Sequence, residues 1–258
     1  PRPINMRTEL LPEGGSLDHQ IEQSAGSLRG GWVSGETEVD GFRWKLTVPG
    51  NPDALLDEDS VVAASQSDDR MPYWAYVWPA AFPMAKAVLR ADWPVPSRVL
   101  ELGCGTGLVG LAALQRGHHV TFTDYEPLSV AVARHNAEQN GFTQFHAHTL
   151  DWREPPEKHY PVIIGCDLLY QENHFEPILQ LLHRMLPQDG VCWLGDGGRS
   201  VTCRFWHQAR EQGFDVEVFD ADGQLQPAPA SDYQLFILRN RHAELGSPRT
   251  QIPAQPGQ

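Results

Sequence analysis

From Arg98 onward, short apolar runs alternate with stripes of apolar residues at helical spacing. RVLEL at 98–102 has the density of a buried strand, after which Leu108, Leu111, Ala112 and Gln115 step at helical spacing until Gly117 closes the helix. His119–Asp124 (HVTFTD) reads as a second strand, and 127–140 as a helix with proline in its first turn and Gly141 past its end. Phe145–Asp151, Pro161–Asp167 (PVIIGCD) and Gly190–Asp196 (GVCWLGD) continue the strand series. The stripe Phe175, Ile178, Leu179, Leu182, Leu186 and a helix near 200–212 fill the later intervals. Strands and helices in strict alternation demand parallel pairing with crossover helices. Phe214–Phe219 and Tyr233–Arg239 break the rhythm: no helix separates them, so they are expected as antiparallel neighbours.

Ahead of this region Phe42, Trp44, Leu46 and Val48 alternate on one face, and Pro49-Gly50-Asn51-Pro52 ends the run, which predicts an N-terminal hairpin. MPYWAYVWP at 71–79 is dense in aromatics, and Ala81, Met84, Ala85, Val88 and Leu89 then share a helical face. The chain therefore divides into a flexible arm over 1–31, polar and glycine-rich without periodicity, a β extension over 32–75, a doubly wound α/β domain over 76–240 and a disordered tail over 241–258.

Composition narrows the partners. With 20 Lys and Arg against 33 Asp and Glu, the net charge of -13 argues against nucleic acid and anionic membranes, which need clustered cations, and favours a basic partner. The cysteines at 104, 166, 192 and 203 form no CxxC pair and lie mostly in apolar or glycine-rich stretches, which points to a reducing, cytoplasmic compartment. No stretch approaches the roughly 18 apolar residues of a membrane span, and the N-terminus lacks a signal pattern.

The candidate chemistry begins where the first parallel strand hands over to its helix, at Glu101-Leu102-Gly103-Cys104-Gly105-Thr106-Gly107. Glycines here permit positive φ in a tight turn and let a ligand approach the backbone. Gly105, Gly107 and Gly110 also satisfy GxGxxG, with Asp124 near the spacing of a dinucleotide fingerprint. Against that reading stands Glu101, whose carboxylate would oppose a pyrophosphate, whereas a cofactor with a cationic end fits. The sulfonium and amino groups of S-adenosylmethionine meet the requirement: Asp124 suits the ribose hydroxyls and Asp151 the adenine amino group, at the strand ends where open parallel sheets bind ligands.

ELGCGTG, TDYEP and five parallel strands followed by an antiparallel hairpin resemble the seven-strand S-adenosylmethionine-dependent methyltransferases over about residues 76–240. The resemblance implies a Rossmann-like doubly wound, seven-stranded, mostly parallel sheet with the N-terminal β extension added. It places Glu101, Gly103, Gly105, Gly107, Asp124, Tyr125, Asp151 and Trp152 around the cofactor. A narrower likeness lies in PYWAYVWPAA, CDLLY at 166–170 and LGDGGR at 194–199, which are similar to small protein lysine methyltransferases, in particular the type that modifies the electron transfer flavoprotein β-subunit. It implies that Trp78 borders the cofactor pocket and that Asp167 and Tyr170, an acidic residue and an aromatic separated by two residues, serve the substrate amine. Asp167 is also counted among the cofactor contacts.

The chemistry is coherent with that implication. Methyl transfer needs a neutral amine aligned in a dry site, and a lysine of reference pKa about 10.4 must first shed its proton. Asp167 can hold and orient the ammonium while an aromatic surround favours the neutral form, and Tyr170 offers a hydroxyl or a ring face. The expected partner is a protein presenting a lysine. A small-molecule methyltransferase and a catalytically silent cofactor-binding protein remain as alternatives.

Other features narrow the reaction. Methyltransferases of amide and exocyclic amino groups usually carry Asn or Asp followed by Pro-Pro and an aromatic after the fourth strand, and CDLLY departs from that pattern. Cys166 reads as packing, and His146 and His148 share a strand face without a third metal ligand, so no metal is expected. Gly195-Asp196-Gly197-Gly198-Arg199 admits two readings: a loop whose Asp196 or Arg199 contacts the target, or a tight turn into a helix capped by Ser200.

Overall fold

The structure is a computed structural model that describes residues 7–10, 28, 30–55 and 72–241. Most of the N-terminal arm, part of the β extension and nearly all of the tail thus lie outside the described residues. Arg7–Leu10 (β1) pairs antiparallel with Trp32–Val39 (β2), which pairs in turn with Phe42–Pro49 (β3). The β2–β3 connection is Asp40-Gly41, with φ of 53° and 82°, the double positive φ that matches the twist of the flanking strands.

The main sheet is built from Arg98–Leu102 (β4), His119–Asp124 (β5), Phe145–Thr149 (β6), Val162–Cys166 (β7), Val191–Asp196 (β8), Phe214–Asp220 (β9), Leu225–Gln226 (β10) and Gln234–Asn240 (β11). Its order is β10-β9-β11-β8-β7-β4-β5-β6; β4, β5, β6, β7 and β8 are parallel, and β11 runs antiparallel to both β8 and β9. The expected seven-stranded, doubly wound fold is present, with the two-residue β10 as an eighth, edge strand. The chain winds outward from β4 through β5 to β6, then returns to the other side of β4 with β7, so the switch point lies at the carboxyl ends of β4 and β7.

Helices cover both faces. Ala81–Leu89 (α1), Leu108–Gln115 (α2) and Pro127–Gln139 (α3) share one core with β3, and Phe175–Met185 (α4) and Thr202–Glu211 (α5) pack on the other face. α2 is apolar around its circumference because sheet and helices enclose it, and it ends as its sequence dictates. Gly117 takes φ of 84°, its N–H donates to the Leu114 carbonyl, and the His118 N–H reaches back to Ala113. α5 differs from expectation: it begins at Thr202 with no side-chain cap, and the Thr202 hydroxyl bonds the Arg199 carbonyl, so Ser200 is not its cap.

The extension is joined to the cofactor-type loop by side-chain amides of α3. Asn136 is fully buried: its Oδ1 accepts the Thr47 N–H at 2.8 Å, and its Nδ2 donates to the carbonyls of Thr47 (3.0 Å) and Thr106 (2.8 Å). One turn on, Asn140 makes the same two-way pairing with Lys45 of β3. α3 thus offers the edge of β3 a substitute for a neighbouring strand. Replacing Asn136 with Ala strands three backbone groups at once, and Asn136→Ala is expected to lower unfolding stability by about 3 kcal/mol in a denaturant titration. A loss under about 0.5 kcal/mol would show that water replaces the amide.

Candidate active site

The carboxyl ends of β4, β5 and β7, with the segments after β6 and around Tyr73–Trp78, surround a cavity of about 220 Å³ that opens to solvent. It lies at the switch point, where side chains from successive parallel strands converge. The glycine loop forms one wall. Gly103, Gly105 and Gly107 all take positive φ, 58°, 51° and 86°. Gly103 and Gly105 line the cavity, and a Cβ at Gly103 would meet Leu168 Cδ2 at 2.4 Å. Gly107 stands behind, at the start of α2, packed against Ala133.

Asp124 ends β5 and faces the cavity with 9% exposure. Its two oxygens take the N–H groups of Gly105 and Glu126, each at 3.0 Å, so the acid of one strand holds the glycine loop of the next. Burial pushes its carboxyl above the usual range, and these N–H groups with the Ser129 hydroxyl draw it back. Asp151 lies two residues past β6 and is clasped by the Arg153 guanidinium at 2.6 Å. Tyr125 and Trp152 line the same wall; the Arg153 guanidinium sits 5.8 Å from the Tyr125 ring centroid.

Glu101 is placed otherwise than expected. It sits on β4 at the predicted strand end, yet strand alternation turns it to the Val99 face, under α2, and it does not line the cavity. A Cβ at Gly110 would come within 2.3 Å of Glu101 Oε2, so that glycine of the GxGxxG pattern makes room for a carboxyl. Oε2 has no hydrogen-bond partner, and burial raises the carboxyl well above its ordinary value.

The opposite wall carries Asp167, the residue after β7, at φ 57° in the left-handed region. Its N–H is held by the Gly195 carbonyl at 2.8 Å. Oδ1 accepts from the Gly197 N–H at 3.3 Å and from Arg199 Nη1, and among the described residues Oδ2 takes no such bond. Arg199 Nη1 also bonds Asp196 Oδ2 at 2.7 Å, and Asp196 Oδ1 accepts the N–H groups of Gly198 and Arg199. The glycine-rich loop after β8 is therefore neither a bare turn nor a free contact: it turns Arg199 onto Asp167.

Aromatic rings complete the mouth. Trp78 donates its indole N–H to the Tyr73 carbonyl at 2.9 Å, and the Tyr73 ring meets both Trp78 (5.8 Å) and Tyr170 (5.3 Å) edge-on. Tyr170 also contacts His174 at 4.7 Å, which lies 5.3 Å from Trp152. Tyr73, Trp74, Arg153 and His174 escaped the sequence reading. The aromatic run at 71–79 signalled the first two, whereas Arg153 and His174 carry no pattern of their own. His146 and His148 lie on the edge strand β6, away from this cavity.

The donor set suits S-adenosylmethionine. Asp124, Glu126, Asp151 and Asp167 line the cavity, against one arginine among the described lining residues, itself bound to Asp151. A pyrophosphate would meet carboxylates, while a sulfonium and an ammonium find anions and ring faces.

The family model described as lysine methyltransferase matches residues 72–208, just over half of the chain. The chain belongs to this family. Among its relatives, a Danio rerio protein N-lysine methyltransferase is 32% identical over 164 residues, covering 58% of this chain and 70% of the relative. The Xenopus laevis electron transfer flavoprotein beta subunit lysine methyltransferase is 31% identical over 134 residues, 50% of this chain and 54% of its own length. The chain thus spans about half of that second relative. A TehB-like SAM-dependent methyltransferase from Corynebacterium glutamicum superposes with a TM-score of 0.52 at 23% identity, over 61% of this chain and 87% of that one. A glycopeptide N-methyltransferase gives 0.51 at 14%, over 62% and 89%. These structures bear out the fold, and family membership bears out the enzyme class and cofactor expected from the sequence.

Glu101 yields a pH test. A carboxyl whose value is raised on folding keeps its proton in the native state while the unfolded chain releases it. Native stability therefore declines as pH rises from the ordinary glutamate range toward the raised value. Glu101→Gln removes that decline. The variant is expected to melt higher than wild type at pH 7, with the gap closing toward pH 4; a gap independent of pH would contradict the placement of a protonated carboxyl under α2.

Proposed function

We propose that this protein transfers a methyl group to the ε-amine of a lysine on a protein substrate, with Asp167 and Tyr170 at the reacting amine. The observation that carries the reading is the Asp167 carboxylate, fixed through Oδ1 on a left-handed residue while the side chain borders the cavity beside Tyr170 and Trp78. Its family and relatives named as protein lysine methyltransferases support it. Bound S-adenosylmethionine supplies an electrophilic methyl group.

Asp124 would hold the ribose hydroxyls and Asp151 with Trp152 and Tyr125 the adenine side, while Gly103 and Gly105 give close approach. Glu101 would act from beneath the loop rather than by direct contact. The residues of this chain then handle the amine. Asp167 attracts the incoming ammonium and, with a carboxyl raised above the ordinary aspartate range by burial, is a better proton acceptor than a solvated one. Tyr73, Trp78 and Tyr170 present ring surface on which an ammonium is held and its neutral form is not penalised. The acidic chain favours a basic target surface.

The same reading carries the expectation of a cytoplasmic protein with no nucleic-acid or membrane partner, supported by the net charge of -13.

The deciding experiment is transfer of labelled methyl from S-adenosylmethionine into lysate proteins, with mass spectrometry of the labelled residue. Asp167→Asn is expected to lower transfer about 100-fold or more while calorimetry still shows cofactor binding. Label found on a residue other than lysine would overturn the substrate assignment, and undiminished transfer by Asp167→Asn would remove that residue from the reaction.

A further inference from the structure

Two buried carboxylates and a half-buried guanidinium form a row at the cavity wall. Asp196 is fully buried and Asp167 nearly so, with 6% of its side chain exposed, and Arg199 Nη1 lies between their carboxylates. The Arg199 side chain is 29% exposed, and its guanidinium sits 6.0 Å from the Trp78 ring centroid. Arg199 does not line the cavity, whereas Asp167 does. All of the ionic and N–H contacts to Asp167 fall on Oδ1. The Asp167 side chain itself borders the cavity.

Two carboxylates with one guanidinium leave a single negative charge. Without the guanidinium, two desolvated carboxylates this close would not both stay ionised, and one would take up a proton. With it, the group remains one charge short of neutrality, and its Asp167 member borders the cavity. The remaining groups beside Asp167 are Cys166 at the end of β7 and Tyr233 just before β11; burial pushes both upward, so they stay protonated and neutral. Arg199 and Asp196 therefore set the local charge.

We propose that Arg199 is a positioning residue for the amine subsite: it braces Asp167 through Oδ1, keeps the carboxylate ionised against its burial and against Asp196, and leaves one uncompensated negative charge at the cavity wall that selects a cationic amine. This rests on the lysine reading of the site but concerns a residue outside the cavity lining. It also accounts for the sequence Gly195-Asp196-Gly197-Gly198-Arg199. Asp196 closes the loop on the N–H groups of Gly198 and Arg199, and Gly198, at φ 88°, lies so near the backbone of Ser231 and Asp232 that a Cβ would be 2.4 Å from it.

The two flanking charges act on Asp167 in opposite senses, which separates an electrostatic role from a structural one: Arg199 lowers its proton affinity and Asp196 raises it. The test is a carboxyl NMR titration of Asp167 in the full chain, its signal identified by its loss in Asp167→Asn, in wild type, Arg199→Gln, Arg199→Lys and Asp196→Asn. The midpoint is expected to rise in Arg199→Gln, to return toward wild type in Arg199→Lys, and to fall in Asp196→Asn. In methyl-transfer assays at pH 6, Arg199→Gln should raise KM for the protein substrate about tenfold or more, with cofactor affinity by calorimetry within about twofold of wild type. A folded Arg199→Gln protein with an unmoved Asp167 midpoint overturns the proposal. If that variant does not fold, a midpoint that fails to fall in Asp196→Asn, or that Arg199→Lys fails to hold near wild type, overturns it equally. Opposed shifts in a protein that labels no lysine would uphold the charge arrangement and reject the lysine reading; lysine labelling with unmoved midpoints would do the reverse.

Discussion

A carboxylate taken out of water must be given donors or it takes up a proton, and the carboxyl edge of this sheet is arranged around that requirement. Asp124 takes the N–H groups of Gly105 and Glu126, Asp167 takes Gly197 and Arg199, and Asp196 takes Gly198 and Arg199. The loops that supply these donors are the glycine-rich ones, because backbone N–H groups can turn inward only where side chains do not intervene. The glycine loops after β4 and β8 are thus halves of one device, each folded onto a buried acid.

The exception is informative. Glu101 is buried with Oε2 unpaired, and burial raises its carboxyl well above the ordinary value although the Gly110 N–H draws it back. It packs against Gly110 and Phe122, between the sheet and α2, and its contribution to the cavity is through the position of the glycine loop above it. The negative character of the cavity comes from Asp124, Glu126, Asp151 and Asp167, which favours a cationic cofactor more directly than Glu101 does.

The N-terminal extension is tied to the same edge. Asn136 bonds Thr47 in β3 and the Thr106 carbonyl in the glycine loop, so the hairpin and the cofactor wall share one buried amide. Tyr73 plays a comparable part on the opposite side, its ring between Trp78 and Tyr170. Asn136 holds the cofactor wall from behind, whereas Tyr73 both braces its neighbours and lines the cavity; only Tyr73 was signalled locally, by the aromatic run around it.

The sequence by itself determined the order and type of the main elements from α1 to β11, the two-residue β10 apart, since apolar periodicity, Pro127, Gly117 and Gly141 are local signals that the tertiary structure had no cause to override. It also determined which acids stand at the strand ends, because Asp124, Asp151 and Asp167 follow their apolar runs directly. What only the tertiary structure decided is direction and partnership. Whether Glu101 faces the cavity or α2 depends on strand parity relative to the neighbouring layers, and whether Ser200 caps α5 depends on where that helix begins. That Arg199 reaches Asp167, 32 residues away, follows from β7 and β8 being parallel neighbours with their carboxyl ends level, a juxtaposition that no local pattern encodes. Long-range electrostatics is therefore the part of this site that had to be folded before it could be read.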